Sequence, residues 1–341
     1  MELDTEVIDY EPDSEFLEPW KKDPIGAVRN RPGMYVGDTT EAGAFHVLDE
    51  LVANALDQFL QGEADLIRVC HEGLRIQVYD NGAGFPMTDP LILKSLQSFH
   101  DKPTADDHAP HVHLALRGVG LFPINALSKR FSLQTVYRDQ KYDICFEEGA
   151  LVSKEEGAEL PFERGTRVTA DLDPTIFACN ELHRNFVRKR LFETAHLFPG
   201  LAVEVNEERF KTTGLMQLAE LHRQYGDCSE HRFKETRRFE FTGSSERIRL
   251  NLALVGNGGK SPTIRSWVNG APTPKHGTHV RGVLQAASAL GWVPETLLVS
   301  IIFNEVQYAG PTRDELATEW VPHEISELLA GPLAEFIQSW P

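Results

Sequence analysis

The sequence predicts an α/β chain arranged as two successive domains, and three observations carry that prediction. At 341 residues the chain exceeds what one hydrophobic core usually serves. Its first half sets an amphipathic helix before strand-like segments that read as an antiparallel sheet. Its second half runs strand, strand, helix, strand, the βαβ-like order of a separate α/β unit. The expected division is an N-terminal arm over 1–23, a first domain over 24–228 and a second over 229–341.

Composition narrows the function classes. The net charge of −17 argues against wrapping nucleic acid with the whole surface, though it leaves room for a local basic patch. Cys70, Cys145, Cys179 and Cys228 form no CxxC pair, which points to reduced thiols and a cytoplasmic location and away from a zinc site. The opening MELDTEVIDYEPDSEF is acidic and lacks an apolar run, so it does not read as a signal peptide. No stretch approaches the roughly 18 apolar residues of a membrane span, and no membrane partner is expected.

The acidic arm, with Pro12 and Pro19, is expected to be mobile or partner-dependent. Residues 23–40 carry Arg-Pro-Gly and Gly-Asp turn signals, and Thr39, Thr40 and Glu41 are candidate caps for the helix that follows. In AFHVLDELVANALDQF (44–59), helical spacing gathers Val47, Leu48, Leu51, Val52, Ala55, Leu56 and Phe59 on one side. His46, Glu50, Asn54 and Asp57 fall on the other. A solvated face explains that stripe on periodicity alone; against it, the stripe has no Lys or Arg and contains poor helix formers. Gln61-Gly62 closes the helix, and LIRVCHE and LRIQVYD read as strands joined at Glu72-Gly73.

The second of these strands runs into Asp80-Asn81-Gly82-Ala83-Gly84-Phe85-Pro86. A carboxylate at a strand end beside two glycines suits a close-approaching ligand, and an ordinary Asx-Gly turn has the same appearance. Residues 87–113 read as a short helix and a polar loop. His100, His108, His111 and His113 match no standard metal template, so a long lid is the better expectation. Leu116–Phe131 reads as Gly118-x-Gly120 opening an apolar-periodic helix, a pattern that exposes backbone amides to an anion such as phosphate. Strands are expected over 131–138, 141–147 and 163–173, a helix over 180–197, a strand at LAVEVN and a helix ending near Gly226.

From Arg232 to Arg281 basic residues outnumber acidic ones. IRLNLALVG, IRSWVNG and LLVSIIFNEV read as strands of the second sheet, HVRGVLQAASAL as a helix between the last two, and 322–339 as the final helix.

Taken in order, these motifs resemble the GHKL ATPase family, the group of gyrase B subunits, Hsp90, MutL and sensor histidine kinases. RPGMYVGD, LDELVANALDQFL, YDNGAGFP, RGVGLFPINALSKRF, RGTRV and NGAPTPKHGTHVRG are similar to segments of bacterial gyrase B and topoisomerase IV B subunits, from about residue 24 onward. The resemblance implies a Bergerat-type nucleotide-binding domain followed by a ribosomal-S5-like transducer domain, with ATP and Mg²⁺ bound. On this sequence Glu50 is then the general base for the attacking water, and His46 its orienting partner. Asn54 supplies an oxygen to Mg²⁺ and Asp57 supports the stripe. Asp80 accepts the adenine amino proton, with Thr166 on the same base edge. Gly82, Gly84, Phe85 and Pro86 line the adenine pocket. Gly118, Val119 and Gly120 present amides to the phosphates, and Lys102 matches the lid lysine.

Three departures accompany the resemblance. Leu114-Ala115-Leu116-Arg117 stands where the family has Gly-Gly-Leu-His, and Ala83 stands where it has Arg. Pro311-Thr312-Arg313 replaces Gln-Thr-Lys, putting a guanidinium in Arg313 where a lysine would reach the γ-phosphate. The expected function is an ATP-hydrolysing clamp that dimerises with nucleotide. The basic 232–281 run is expected to line the gate for a DNA segment. No nuclease-type domain is recognised, so this chain alone is not expected to cut DNA, whether it is a fragment of a longer subunit or a stand-alone paralogue working with a separate cleavage or effector subunit. The alternative is a nucleotide-sensing regulatory or defence-type module, with weak or no turnover, acting on an effector partner.

Overall fold

A computed structural model describes residues 22–98, 120–226, 236–258, 262–310 and 313–340. Local chemistry starts each element of the first half. Asp23 caps helix α1 (Pro24–Asn30), its carboxylate accepting from the Gly26 amide at 2.8 Å, with proline at the first helical position. A short α2 (Gly33–Val36) leads to the long helix α3 (Glu41–Leu60). Thr40 caps α3, and Asp38 Oδ1 accepts from the Thr40 amide, the Thr40 hydroxyl and the Gly43 amide. Those bonds, the Thr40 hydroxyl's first, hold the Asp38 carboxyl below its ordinary range. Gly43 is required there, because a Cβ would lie 1.9 Å from the Asp38 carbonyl oxygen.

The apolar side of α3 is buried, Val47 and Leu48 completely, against strands β1 (Leu66–Glu72) and β2 (Arg75–Asp80). After α4 (Pro90–Ser95) and α5 (Phe122–Ala126) come β3 (Ser128–Tyr137), β4 (Gln140–Glu147), β5 (Ala150–Glu156) and β6 (Gly165–Leu172). Helix α6 (Arg184–Leu197), β7 (Ala202–Val205), β8 (Glu208–Phe210) and α7 (Leu215–Gly226) complete this half. The eight strands form one sheet in the order β5-β4-β3-β6-β2-β1-β7-β8, antiparallel except for the parallel β1–β7 pair. The sheet puts Asp80 opposite Thr166 on β6, and Thr135 of β3 opposite the same Thr166.

The second sheet holds β9 (Arg238–Ser244), β10 (Arg249–Val255), β11 (Thr263–Val268), β12 (Ala271–Pro272) and β14 (Thr296–Ile302), in the order β12-β11-β14-β10-β9. Helix α8 (Thr278–Ala289) connects the parallel strands β11 and β14, as the βαβ-like order predicts. A two-strand ladder joins β13 (His276–Gly277) to β15 (Glu315–Leu316), and α9 (Val321–Ser339) packs on α8. One core lies in the first half and one in the second. Ala253, Val255, Trp267, Leu298 and Ile302 of the second sheet nevertheless pack into the first core, so apolar contact continues between the halves.

Three expectations need adjustment. The helix after Gly120 ends at Ala126 and does not run to Phe131. Ser128 Oγ donates to the Ile124 carbonyl at 2.7 Å, and β3 begins there through a register shift at Ser128/Arg130 that interrupts the period-two pattern. Strand β5 adds to the expected set; every residue in it is exposed, so no apolar alternation marks it in the sequence. Strand β9 is also unexpected, within a run whose charge masks the alternation of Phe239 and Phe241, as are the short strands β8, β12, β13 and β15. Residues 1–21 of the arm lie outside the described residues, as do Lys102, the histidine-containing stretch, Leu114–Arg117, Gly118, Val119, Pro311 and Thr312.

Candidate functional site

Helix α3 carries the polar stripe into the interior. Glu50 and Asp57 are 7% and 6% exposed, far less than a solvated face would allow for carboxylates. Asn54 is half-buried and donates from Nδ2 to the Glu50 carbonyl at 2.9 Å, which commits its amide nitrogen to its own helix and turns Oδ1 to the other side. His46 Nδ1 lies 2.6 Å from the Val36 carbonyl, so Nδ1 carries the proton. In the neutral ring Nε2 is then an acceptor, and donation toward a carboxylate from Nε2 requires the imidazolium.

A second set of groups meets at the end of β2. Asp80 is 6% exposed, and burial raises its carboxyl to about 7 against the downward pull of the Gly82 and Thr166 amides. Its Oδ1 accepts from the Gly82 amide at 2.9 Å. Thr166 Oγ1 sits 3.1 Å from Thr135 Oγ1, and that Thr135 hydroxyl oxygen accepts from the Phe85 amide at 2.8 Å. Glycine lets backbone pack directly on backbone where these strands meet. A Cβ on Gly165, at φ +101°, would lie 1.9 Å from the Asp80 carbonyl oxygen. One on Gly84, at φ +80°, would lie 2.0 Å from the Val136 carbonyl oxygen.

The stripe and this wall are tied together. Gln58 of α3 accepts from the Ala83 amide through Oε1 at 3.0 Å. Where the resemblance implies an arginine at position 83, a backbone amide and a neutral glutamine make the connection. Arg164 donates to the Gly82 carbonyl at 3.0 Å and to the Glu63 carboxylate at 2.7 Å, pinning the Asp80 loop from outside. Asn81 takes the amides of Asp65 and Leu66 on its Oδ1, fixing the loop to the start of β1. Thr135, Gln58, Arg164 and Asn81 are site residues that sequence reasoning misses. Arg164 and Asn81 carry local signals, their places in the Arg-Gly-Thr run and in the Asp80-Asn81-Gly82 motif; Thr135 and Gln58 need strand register or helix placement to be seen.

Phe85 and Pro86 follow Gly84 as half-buried residues, and Gly120, at φ +65°, stands ahead of α5. Arg313 lies between β14 and β15 in the left-handed region, its guanidinium 5.7 Å from the centre of the Tyr308 ring. No group of three or more His, Cys, Asp or Glu side chains that could hold a metal occurs among the described residues.

The basic run is largely occupied by the chain itself. Arg238 pairs with Glu220, Arg265 with Glu193 and Lys275 with Asp314, while Arg237 and Arg247 stack on Trp340 and Trp320. Arg249 and Arg281 are exposed. Arg232, Lys234 and Lys260 lie outside the described residues.

Comparison with known proteins agrees with this geometry. The family model for histidine kinase-, DNA gyrase B- and HSP90-like ATPases matches residues 39–176, which run from the cap of α3 past Thr166. The DNA gyrase B subunit of Campylobacter jejuni is 30% identical over 93% of this chain and 45% of its own. That of Clostridium acetobutylicum is 26% identical over 93% and 55%. The DNA topoisomerase 4 B subunit of Rickettsia prowazekii is 27% identical over 93% and 54%. The chain thus spans about half the length of the curated relatives it matches.

Among solved structures, the B-subunit of the Myxococcus xanthus gyrase superposes with a TM-score of 0.74 at 24% identity, covering 93% of this chain and 97% of that one. The 43K ATPase domain of Thermus thermophilus gyrase B, solved with an aminocoumarin, gives 0.72 at 23%, covering 94% and 91%. These likenesses establish the mixed α/β fold. Over residues 39–176 the chain carries a domain of the gyrase B- and HSP90-like ATPase family, and along most of its length it is similar to the B subunits of DNA gyrase and topoisomerase IV.

Proposed function

We propose that this chain binds ATP between α3 and the wall formed by β2, β3 and β6, hydrolyses it, and closes as a homodimeric clamp in response. The observation that carries the reading is the buried Asp80 carboxyl beside Thr166, in a wall where Gly84 and Gly165 admit no side chain. A protonatable acceptor at the end of a strand, next to a threonine hydroxyl in a tightly packed wall, suits the hydrogen-bonding edge of adenine. Gly82, Phe85 and Pro86 would line the base, and Gly118, Val119, Gly120 and Lys102 would face the phosphates.

Glu50 is the proposed general base. Buried on α3, it would hold and deprotonate the attacking water, with His46 orienting it from one turn earlier. The direction of the Asn54 amide fits Mg²⁺, since its nitrogen is spent on the helix and its oxygen is left for a hard cation. When bound, Mg²⁺ would neutralise phosphate charge. Asp57 would support the stripe, and Arg313 would carry the state of the γ-phosphate to the second half. In this reading residues 24–228 form the nucleotide domain and 229–341 the transducer, with 1–23 as the arm that reaches the second protomer.

The intramolecular pairing of Arg238, Arg265 and Lys275 favours a second reading for the output. With those charges neutralised, a nucleotide-sensing module that signals to a separate effector or cleavage protein needs less from DNA than a DNA-gripping clamp does. Steady-state ATPase with and without DNA separates the two: DNA-stimulated turnover supports the clamp, and binding with little turnover supports the sensor. For the pocket itself, Glu50→Ala is expected to bind ATP and lose at least about a hundredfold in turnover. Undiminished turnover in that variant removes Glu50 from the mechanism.

A further inference from the structure

Helix α6 stands between the two sheets, and one side chain on it reaches both ways. Arg190 donates from Nε to Asp49 Oδ1 on α3 at 2.8 Å, and from Nη2 to the Gly270 carbonyl in the turn between β11 and β12 at 2.9 Å. Both side chains of the ion pair are only 17% exposed, so solvent and salt screen it less than a surface pair. The third nitrogen, Nη1, is buried and has no acceptor among the described residues. The rest of that helix face also meets the second sheet: Glu193 takes Arg265 at 2.7 Å, and the Leu197 carbonyl accepts from Asn251 at 3.2 Å. Residues 190, 193 and 197 share one side of the helix by their spacing. Of these three, Arg190 also touches α3, and it does so at the residue directly before Glu50.

A planar guanidinium holding two elements at once transmits a displacement of either, because its donors are fixed relative to one another. A shift of α3 stretches the Asp49 bond or carries the Gly270 turn with it. The unfilled Nη1 donor gives the fork a further bond to form when α3 moves. From this geometry we infer that Arg190 is a positioning residue that couples the Glu50 helix to the second sheet, so that nucleotide on α3 alters the β11–β12 turn through Asp49, Arg190 and Gly270. The inference rests on the proposed ATP site.

Its test is hydrogen exchange over residues 263–272 with and without a non-hydrolysable ATP analogue, with calorimetry of analogue binding on the same samples. The expected result is exchange slowed several-fold by the analogue in the wild type. Arg190→Met and Asp49→Asn are expected to bind the analogue within about threefold of wild type and lose that slowing. Asp49→Asn keeps the shape of the pair and the Arg190–Gly270 bond, so it reports on coupling even where Arg190→Met folds poorly. It should lower kcat about fivefold or more at a KM within about twofold, a split that a merely structural anchor would not produce. Variants that bind the analogue and keep the wild-type slowing overturn the coupling, as does a wild type that binds without any change at 263–272. A folded wild type with no heat of binding overturns the ATP reading and the coupling with it, and the calorimetry tells the two failures apart.

Discussion

Asp80 keeps its proton up to about pH 7 because ionising it inside the wall sacrifices hydration that the Gly82 and Thr166 amides only partly replace. Since the folded value lies above the unfolded one, the folded protein binds this proton more tightly. The stability the group contributes is full below the unfolded value, declines as pH rises toward 7 and is gone above it. Asp80→Asn should therefore raise the melting temperature of the nucleotide-free protein more at pH 8 than at pH 5; an equal change at both would refute the shifted value. An adenine amino group donates to the carboxylate form, so binding should release a proton below pH 7. Affinity for an ATP analogue is then expected to climb as pH rises from 5.5 to 7, by at most about tenfold per pH unit, and to level off beyond. A flat profile would remove Asp80 from the base contact.

At the scale of elements, the site depends on backbone meeting backbone. Gly165→Ala puts a methyl 1.9 Å from the Asp80 carbonyl oxygen at φ +101°, and Gly84→Ala does the equivalent against Val136. Each should cost on the order of 3 kcal/mol or more, measured by denaturant unfolding, and weaken nucleotide binding with it. Asp38→Ala removes three bonds at the start of α3 and should cost about 1–2 kcal/mol by the same measurement. A loss under about 0.3 kcal/mol would show that Thr40 caps the helix alone. Much of this is legible in the sequence: α3 by its apolar period, the Asp80 loop by its glycines, β11-α8-β14 by its order. Thr135 is not, because its meaning comes from lying opposite Thr166 across the sheet, a register no local pattern encodes. Gln58 reads in the sequence as the end of a helix, and only the fold brings its Oε1 to the Ala83 amide. Strand β5 is hidden because an exposed edge needs no apolar alternation.

For the whole molecule, the apolar continuity between the sheets and the α6 contacts join the two halves, and the clamp proposal uses that connection. The clamp reading predicts that saturating ATP analogue doubles the mass seen by light scattering, and a persistent monomer would leave the sensor as the better account. The charge distribution gives that experiment a salt expectation: with Arg238, Arg265 and Lys275 already paired, any DNA affinity should be weak and should fall only shallowly with salt, because few phosphates are neutralised. Beneath both readings lies one claim, that ATP occupies the space between α3 and the Asp80 wall. Titration calorimetry with a Mg²⁺-loaded ATP analogue tests it most directly. The account predicts one site per wild-type chain and, for a folded Asp80→Ala variant, binding at least about a hundredfold weaker. A folded wild type that gives no heat, or an Asp80→Ala variant that binds as tightly as wild type, would contradict it.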